Sequence, residues 1–291
     1  MKNDWERKRN KAKFLALAAA LLVSMQVGRI GEAAAPEEQL SLIAEQHAVW
    51  GSGEMFAESV RDGDLVAVTD LDGNGRMELF FLKFVRNPVP HANDKGTNEE
   101  KGRALVATVP VTMRPRGYEV SADGKQMEEL SFRYSNAIIP PNLTELGEAF
   151  YNATDKTRIY KLTTLNRVGE LGFRLYRQSM SLQNGTVTVQ TLGTEVGGYG
   201  LFSEMPTAEA IIDHCEDRFG KPVAEGAFDG YIASKFTGMK PATVKTSWIP
   251  AKQLADAAPS QDKLRAALEE SWKVFRFEMK DNRQEKNDKK Q

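Results

Sequence analysis

The chain has 291 residues, with 39 Lys+Arg against 40 Asp+Glu, a single Cys and a hydrophobic fraction of 41%. These values fit an ordinary folded protein and exclude a disulfide-stapled mini-domain, a collagen-like repeat and a wholly disordered chain. The net charge of −1 lacks the basic excess of a general nucleic-acid binder, and the length allows one large domain or two small ones.

Residues 1–35 have the three-part layout of a secretory signal peptide. Lys2, Arg7, Lys8, Arg9, Lys11 and Lys13 make a basic start, Phe14 to Met25 is apolar or small, and small residues cluster at Ala33, Ala34 and Ala35. Cleavage after Ala33 is expected; cleavage after Ala35 would place Pro36 just downstream, which is unfavourable. A retained anchor fits less well, because the apolar run is about 12 residues and a spanning helix needs roughly 20. No Cys stands near the cleavage region, which excludes a bacterial lipoprotein. The expected location is secreted or periplasmic, with no stable membrane insertion afterwards. Removing residues 1–35 takes away seven basic and three acidic side chains, so the remainder is mildly acidic. Such a surface does not by itself hold an anionic membrane or a nucleic acid.

Glu37 to Trp50 spaces its apolar residues as a helix does, and Gly51 and Gly53 end it. From Asp64 to Val85 the pattern becomes two strands around a short acidic turn. Asn87 to Gly102 is polar and rich in breakers, hence a loop. Leu105 to Met113 and Tyr118 to Val120 read as strands, followed by an Asp123-Gly124 turn, and Pro140-Pro141 marks a join. Arg158 to Thr164, Gly172 to Met180 and Thr186 to Thr191 read as three more strands, the last two joined by a tight Asn184-Gly185 hairpin. Glu195 to Gly200 reads as a flexible connection. Thr207 to Phe219 then reads as a helix with Thr207 as N-cap and Gly220 just past its end, and Ser260 to Phe277 as a second helix capped by Ser260. The expected organisation is a signal peptide (1–35), an α+β domain with a meander (36–200), a helical C-terminal part packed on it (201–279) and a charged disordered tail (280–291).

One stretch carries chemistry. Asp70-Leu71-Asp72-Gly73-Asn74-Gly75-Arg76-Met77-Glu78 places oxygen side chains at loop positions 1, 3, 5 and 9, and Gly75 at position 6. Calcium is a hard cation that takes six to eight oxygens, and alternate residues of a tightly wound loop aim theirs at one centre. Asp70, Asp72, Asn74 and Glu78 are the expected side-chain ligands and Arg76 the expected carbonyl ligand, with the Arg76 side chain free to point to solvent. The competing account is an acidic Asx-type turn without an ion. Phe80, Leu82 and Phe84 fall on one face of the following strand and Leu79 and Phe81 on the other, so that strand should be central and buried. An ion there braces the core rather than senses a signal. At a Kd on the order of 10⁻⁴ M, about 1 mM calcium would add roughly 1.4 kcal/mol.

The loop resembles those of the EF-hand and FG-GAP types, D-x-[DN]-x-[DN]-G. It departs from the EF-hand at position 12, where Phe81 replaces the bidentate Glu, and its flanks, Leu65 to Thr69 and Leu79 to Leu82, are strand formers. The segment 36–85 as a whole is similar to secreted bacterial proteins of unknown function that carry a single calcium loop. That resemblance implies calcium and an envelope or extracellular setting, but no reaction.

Other constellations are weaker. Ile211, Ile212, Cys215 and Phe219 make the apolar stripe of the expected helix, so Cys215 reads as a small core residue rather than a nucleophile. His47, His91 and His214 lack zinc-site spacing. Neither a P-loop nor a G-x-S-x-G is present. The sequence therefore predicts an α+β fold: an N-terminal helix on an antiparallel sheet of about six to eight strands, with a calcium-loop hairpin and C-terminal helices. The expected function is non-enzymatic, a calcium-stabilised envelope or extracellular module binding a protein or glycan; the alternative is a secreted hydrolase with acid and base residues far apart in sequence.

Overall fold

The computed structural model describes residues 34–51, 64–85, 112–136, 140–168, 172–200 and 209–280. The expected signal segment up to residue 33, the 87–102 loop, most of the Leu105 to Met113 strand and the tail beyond 280 lie outside them.

Strand β1 (Leu65–Thr69) and strand β2 (Glu78–Val85) pair antiparallel across the acidic turn. Strand β3 (Thr112–Val120) pairs with the other edge of β2, β4 (Met127–Glu129) follows it, and the short β13 (Ile249–Pro250) closes the β1 side. The order is β13-β1-β2-β3-β4, so β2 is central. Its alternating side chains feed two cores. Leu79 and Phe81 face the helix α1 (Pro36–Glu45), the short α2 (His47–Gly51), α4 (Ala251–Ala257) and α5 (Gln261–Val274), among Ile43, Trp50, Leu254 and Leu268. Phe80 and Leu82 face a second sheet, among Tyr160, Leu162, Met180 and Val189.

Among the described residues that second sheet has nine strands. Its main path runs β11 (Pro222–Val223), β10 (Glu209–Asp217), β9 (Thr186–Gly200), β8 (Gly172–Gln183), β7 (Thr157–Val168), β6 (Glu148–Asn152), β12 (Lys240–Lys245) and β14 (Arg276–Met279). Strand β5 (Ser131–Ser135) joins β9 in parallel. Its outer face carries helix α3 (Glu225–Ser234), whose Phe228 and Ile232 pack with Leu192 and Cys215. The molecule is thus α+β, in layers of helices, small sheet, large sheet and one helix. The chain crosses between sheets at Leu130, 5% exposed, between β4 and β5.

Several expectations are corrected. The sheet expected as one is two. The first helix breaks at Gln46, and the last ends at Val274, with Ser260 Oγ accepting from Lys263 N at 3.5 Å and residues 276–279 forming a strand. In the stretch Thr207 to Phe219, expected as a helix, Glu209–Asp217 is strand β10, and the expected N-cap Thr207 lies outside the described residues. A bulge between Ile212 and His214 shifts the register, so two side chains three residues apart, Ile212 and Cys215, both turn toward α3. That spacing imitates a helical stripe. Ile211 and Phe219, counted in the stripe, are 47% and 65% exposed. Gly220 follows no helix; it sits in the turn where Asp217 N donates to Lys221 O at 2.8 Å. Glu195 to Gly200 is no connection either. It continues β9 between β8 and β10, and a Cβ on Gly197 would lie 2.1 Å from Ile211 O. Within the segment 201–279, expected as helical, the described residues 209–279 are mixed: β10, β11, β12 and β14 belong to the large sheet and β13 to the small one. The Asn184-Gly185 hairpin stands as expected, with φ of 48° and 69°.

Candidate metal centre

The loop between β1 and β2 is wound by two glycines, Gly73 at φ 75° and Gly75 at φ 82°. Both values suit glycine and strain most other residues. The winding brings carboxylate oxygens of Asp70, Asp72 and Glu78 within 4.8 Å of one another. Glu78 has no exposed surface. Its Oε2 accepts from Thr69 Oγ1 at 2.7 Å and from Leu71 N at 2.8 Å. Its Oε1 is buried with no hydrogen-bond partner, and so is Asp70 Oδ1.

The electrostatics are adverse without a cation. Burial pushes the Glu78 carboxyl well above the usual range, and the neighbouring Asp72 and Asp70 push it further. Burial also raises Asp70, against the pull of Arg158 and the loop amides of Gly75, Gly73 and Asn74. Asp72 is raised by burial and by Asp70, against the Asn74 amide. A buried carboxylate oxygen with no donor costs several kcal/mol unless something satisfies it. The donors that converge are all hard oxygens, which suit calcium or magnesium rather than a soft transition metal. The residues therefore fit a hard divalent cation.

Asn74 and Arg76 are placed differently from the other three. Asn74 Nδ2 donates to Asp72 Oδ2 at 2.8 Å and to Glu119 Oε1 at 2.7 Å, while its Oδ1 accepts from Arg76 N at 2.7 Å. Its side chain thus holds the loop together, and a second lone pair on Oδ1 remains available as a donor to an ion. The Arg76 side chain does not point to solvent. It pairs with Glu119 at 2.9 Å, and its carboxylate partner is 3% exposed.

Sequence reasoning missed four residues around the loop. Glu119 sits directly opposite Glu78 in the β2–β3 register and neutralises Arg76. Arg158, on β7, donates to Asp70 O at 2.7 Å and lies over the Phe277 ring at 4.3 Å. Its guanidinium occupies the space beside Gly73, where a Cβ would come within 2.3 Å. Tyr160, also on β7, donates its hydroxyl to Leu71 O. From the other side Gln39, on α1 and 2% exposed, donates to Gly75 O at 2.8 Å and accepts from Met77 N at 2.7 Å. Only the alternation of β3 hinted at Glu119; nothing local pointed to the other three.

Comparison with protein-family models, with curated proteins and with solved structures finds no match. Among the described residues no helix is long and apolar enough to cross a membrane.

Proposed function

We propose that the chain is a secreted calcium-binding protein in which one structural ion braces the β1–β2 turn, and that it serves as an envelope or extracellular module presenting a surface to a protein or glycan. The observation that carries the calcium reading is the pair of buried, partnerless carboxylate oxygens, Asp70 Oδ1 and Glu78 Oε1, within a cluster of three carboxylates. Asp70, Asp72 and Glu78 supply the charged ligands, Asn74 Oδ1 and the Arg76 carbonyl the neutral ones. The three negative charges, offset in part by Arg158 beside Asp70, suit a divalent ion. Extracellular calcium is the abundant hard divalent cation that tolerates such an irregular oxygen cage, whereas magnesium demands near-octahedral geometry. The setting outside the cytoplasm rests on the signal-like layout of residues 1–35 and on the resemblance of the loop segment.

Calorimetric calcium titration of the chelator-treated protein, beside the Asp70→Ala/Asp72→Ala double variant, tests this. One-site binding is expected in the wild type, with a higher melting temperature, and neither in the variant. No heat and no rise in melting temperature at millimolar calcium would reduce the loop to an acidic turn.

A further inference from the structure

Helix α1 carries two glutamines seven residues apart, Gln39 and its C-cap Gln46, and each grips a backbone segment in the same way. Gln39 donates to Gly75 O and accepts from Met77 N, so it clasps the backbone on either side of Arg76. Gln46 donates to Lys125 O at 2.7 Å and accepts from Met127 N at 2.8 Å, so it clasps the backbone around Gln126. Seven residues are two helical turns, which puts both side chains on one stripe. Each clasp uses a side-chain amide as a neighbouring strand would use its backbone.

The two clasps differ in what they hold. The Met77 N–H belongs to the same peptide plane as the Arg76 carbonyl. In a trans peptide, and none among the described residues is cis, N–H and C=O point in opposite directions. Holding that N–H toward α1 turns the Arg76 carbonyl away from α1. The opposite side is where the Glu78 side chain hangs, since Glu78 shares its face of β2 with Phe80 and Leu82 while Met77 packs in the helix-side core. Gln39 is buried, and its remaining amide hydrogen is spent on Ala34 O at 2.7 Å. It has no freedom to swing away while α1 stays docked.

We infer that Gln39 is a positioning residue for the ion: it fixes the Arg76 carbonyl toward the acidic cluster, so that ion binding and docking of the N-terminal helix are coupled. The coupling rests on the calcium reading above. By linkage it is reciprocal: the ion tightens α1 by the same factor by which docked α1 tightens the ion. Gln46 supplies a built-in control, because it docks the same helix without touching the ion loop.

The experiment is calcium titration of the purified full chain as wild type, Gln39→Ala, Gln39→Met and Gln46→Ala. Amide hydrogen exchange of residues 36–45 is followed with and without calcium. Removing a group that orients a metal ligand typically costs about 10–100-fold in affinity. Gln39→Ala and Gln39→Met are expected to bind calcium at least about tenfold more weakly. Gln46→Ala should stay within about twofold of wild type, because Gln39, Leu40 and Ile43 keep α1 docked on the loop without it. Calcium should slow exchange across 36–45 in the wild type and in Gln46→Ala, and hardly at all in the Gln39 variants. Met fills the volume of Gln without its donor or acceptor, so it keeps the test open if Ala fails to fold. Wild-type affinity in Gln39→Met, or an equal loss in Gln46→Ala, overturns the inference and leaves the calcium reading standing. Absence of calcium binding by the wild type overturns both.

Discussion

Glu78 shows how a single carboxyl ties the loop to proton concentration. Its folded pKa, and those of Asp70, Asp72 and Glu119, are raised above the ordinary 4.5 for Glu and 3.8 for Asp. Each holds its proton more tightly folded than unfolded. Their contribution to ion-free stability is therefore present at low pH and is lost as pH rises from about 4 through the raised values. Asp123, Asp155, Asp217 and Glu269 are lowered by hydrogen bonds at the surface and carry the opposite sign, but solvent and salt screen such groups. In chelator, melting temperature should fall as pH rises from about 4 to about 8. Saturating calcium should cancel that fall, because the ion replaces the protons. A curve in chelator that is flat or rises across the window would mean the buried carboxyls are neutralised by other means.

At the scale of the element, β2 decides the packing. Phe81 stands at the position where an EF-hand would place its closing carboxylate, and it is a core residue instead, 1% exposed. Its ring lies 5.6 Å from Trp50 and 6.2 Å from Tyr118. Phe81→Ala should cost about 3–5 kcal/mol in urea denaturation under saturating calcium. A loss under about 1 kcal/mol would show that Trp50 closes the gap. The β1–β2 hairpin was legible from sequence because its evidence was local: strand formers apolar on both faces, and glycines at the two positions the turn needs. Strand β10 was not legible, since a bulge counterfeits the period of a helix. The end of β9 was hidden for the converse reason, because Gly197 is there for the side chain it lacks. The site divides the same way. Asp70, Asp72 and Glu78 announce themselves by spacing within nine residues. Gln39, Glu119 and Arg158 reach the loop from 36, 45 and 88 residues away along the chain. No periodicity encodes such approaches.

For the whole molecule, the two sheets share one interior rather than lie side by side. Leu71 of the β1–β2 loop and Phe80 and Leu82 of β2 interlock with Tyr160, Leu162 and Val189 of the large sheet, and Trp272 touches both cores. Arg158 and Tyr160 fasten the β1–β2 loop to the large sheet, and Gln39 fastens it to α1. Unfolding should therefore be a single transition, with tryptophan fluorescence and far-ultraviolet circular dichroism coinciding, and calcium should shift both curves together. Two separated midpoints, with calcium moving one of them, would mark the sheets as independent units. The pairing of β13 with β1 has a further consequence, for the order in which the chain is made. The small sheet, whose strands β1 to β4 are made early, is completed by residues made long after them: Ile249 and Pro250 pair along the edge of β1, and Leu264 and Leu268 of α5 roof its apolar face. Until then β1 has an open edge and an uncovered side. Pairing elements so distant along the chain is slow. A growing polypeptide of this design leaves its small sheet unfinished until α5 has been made.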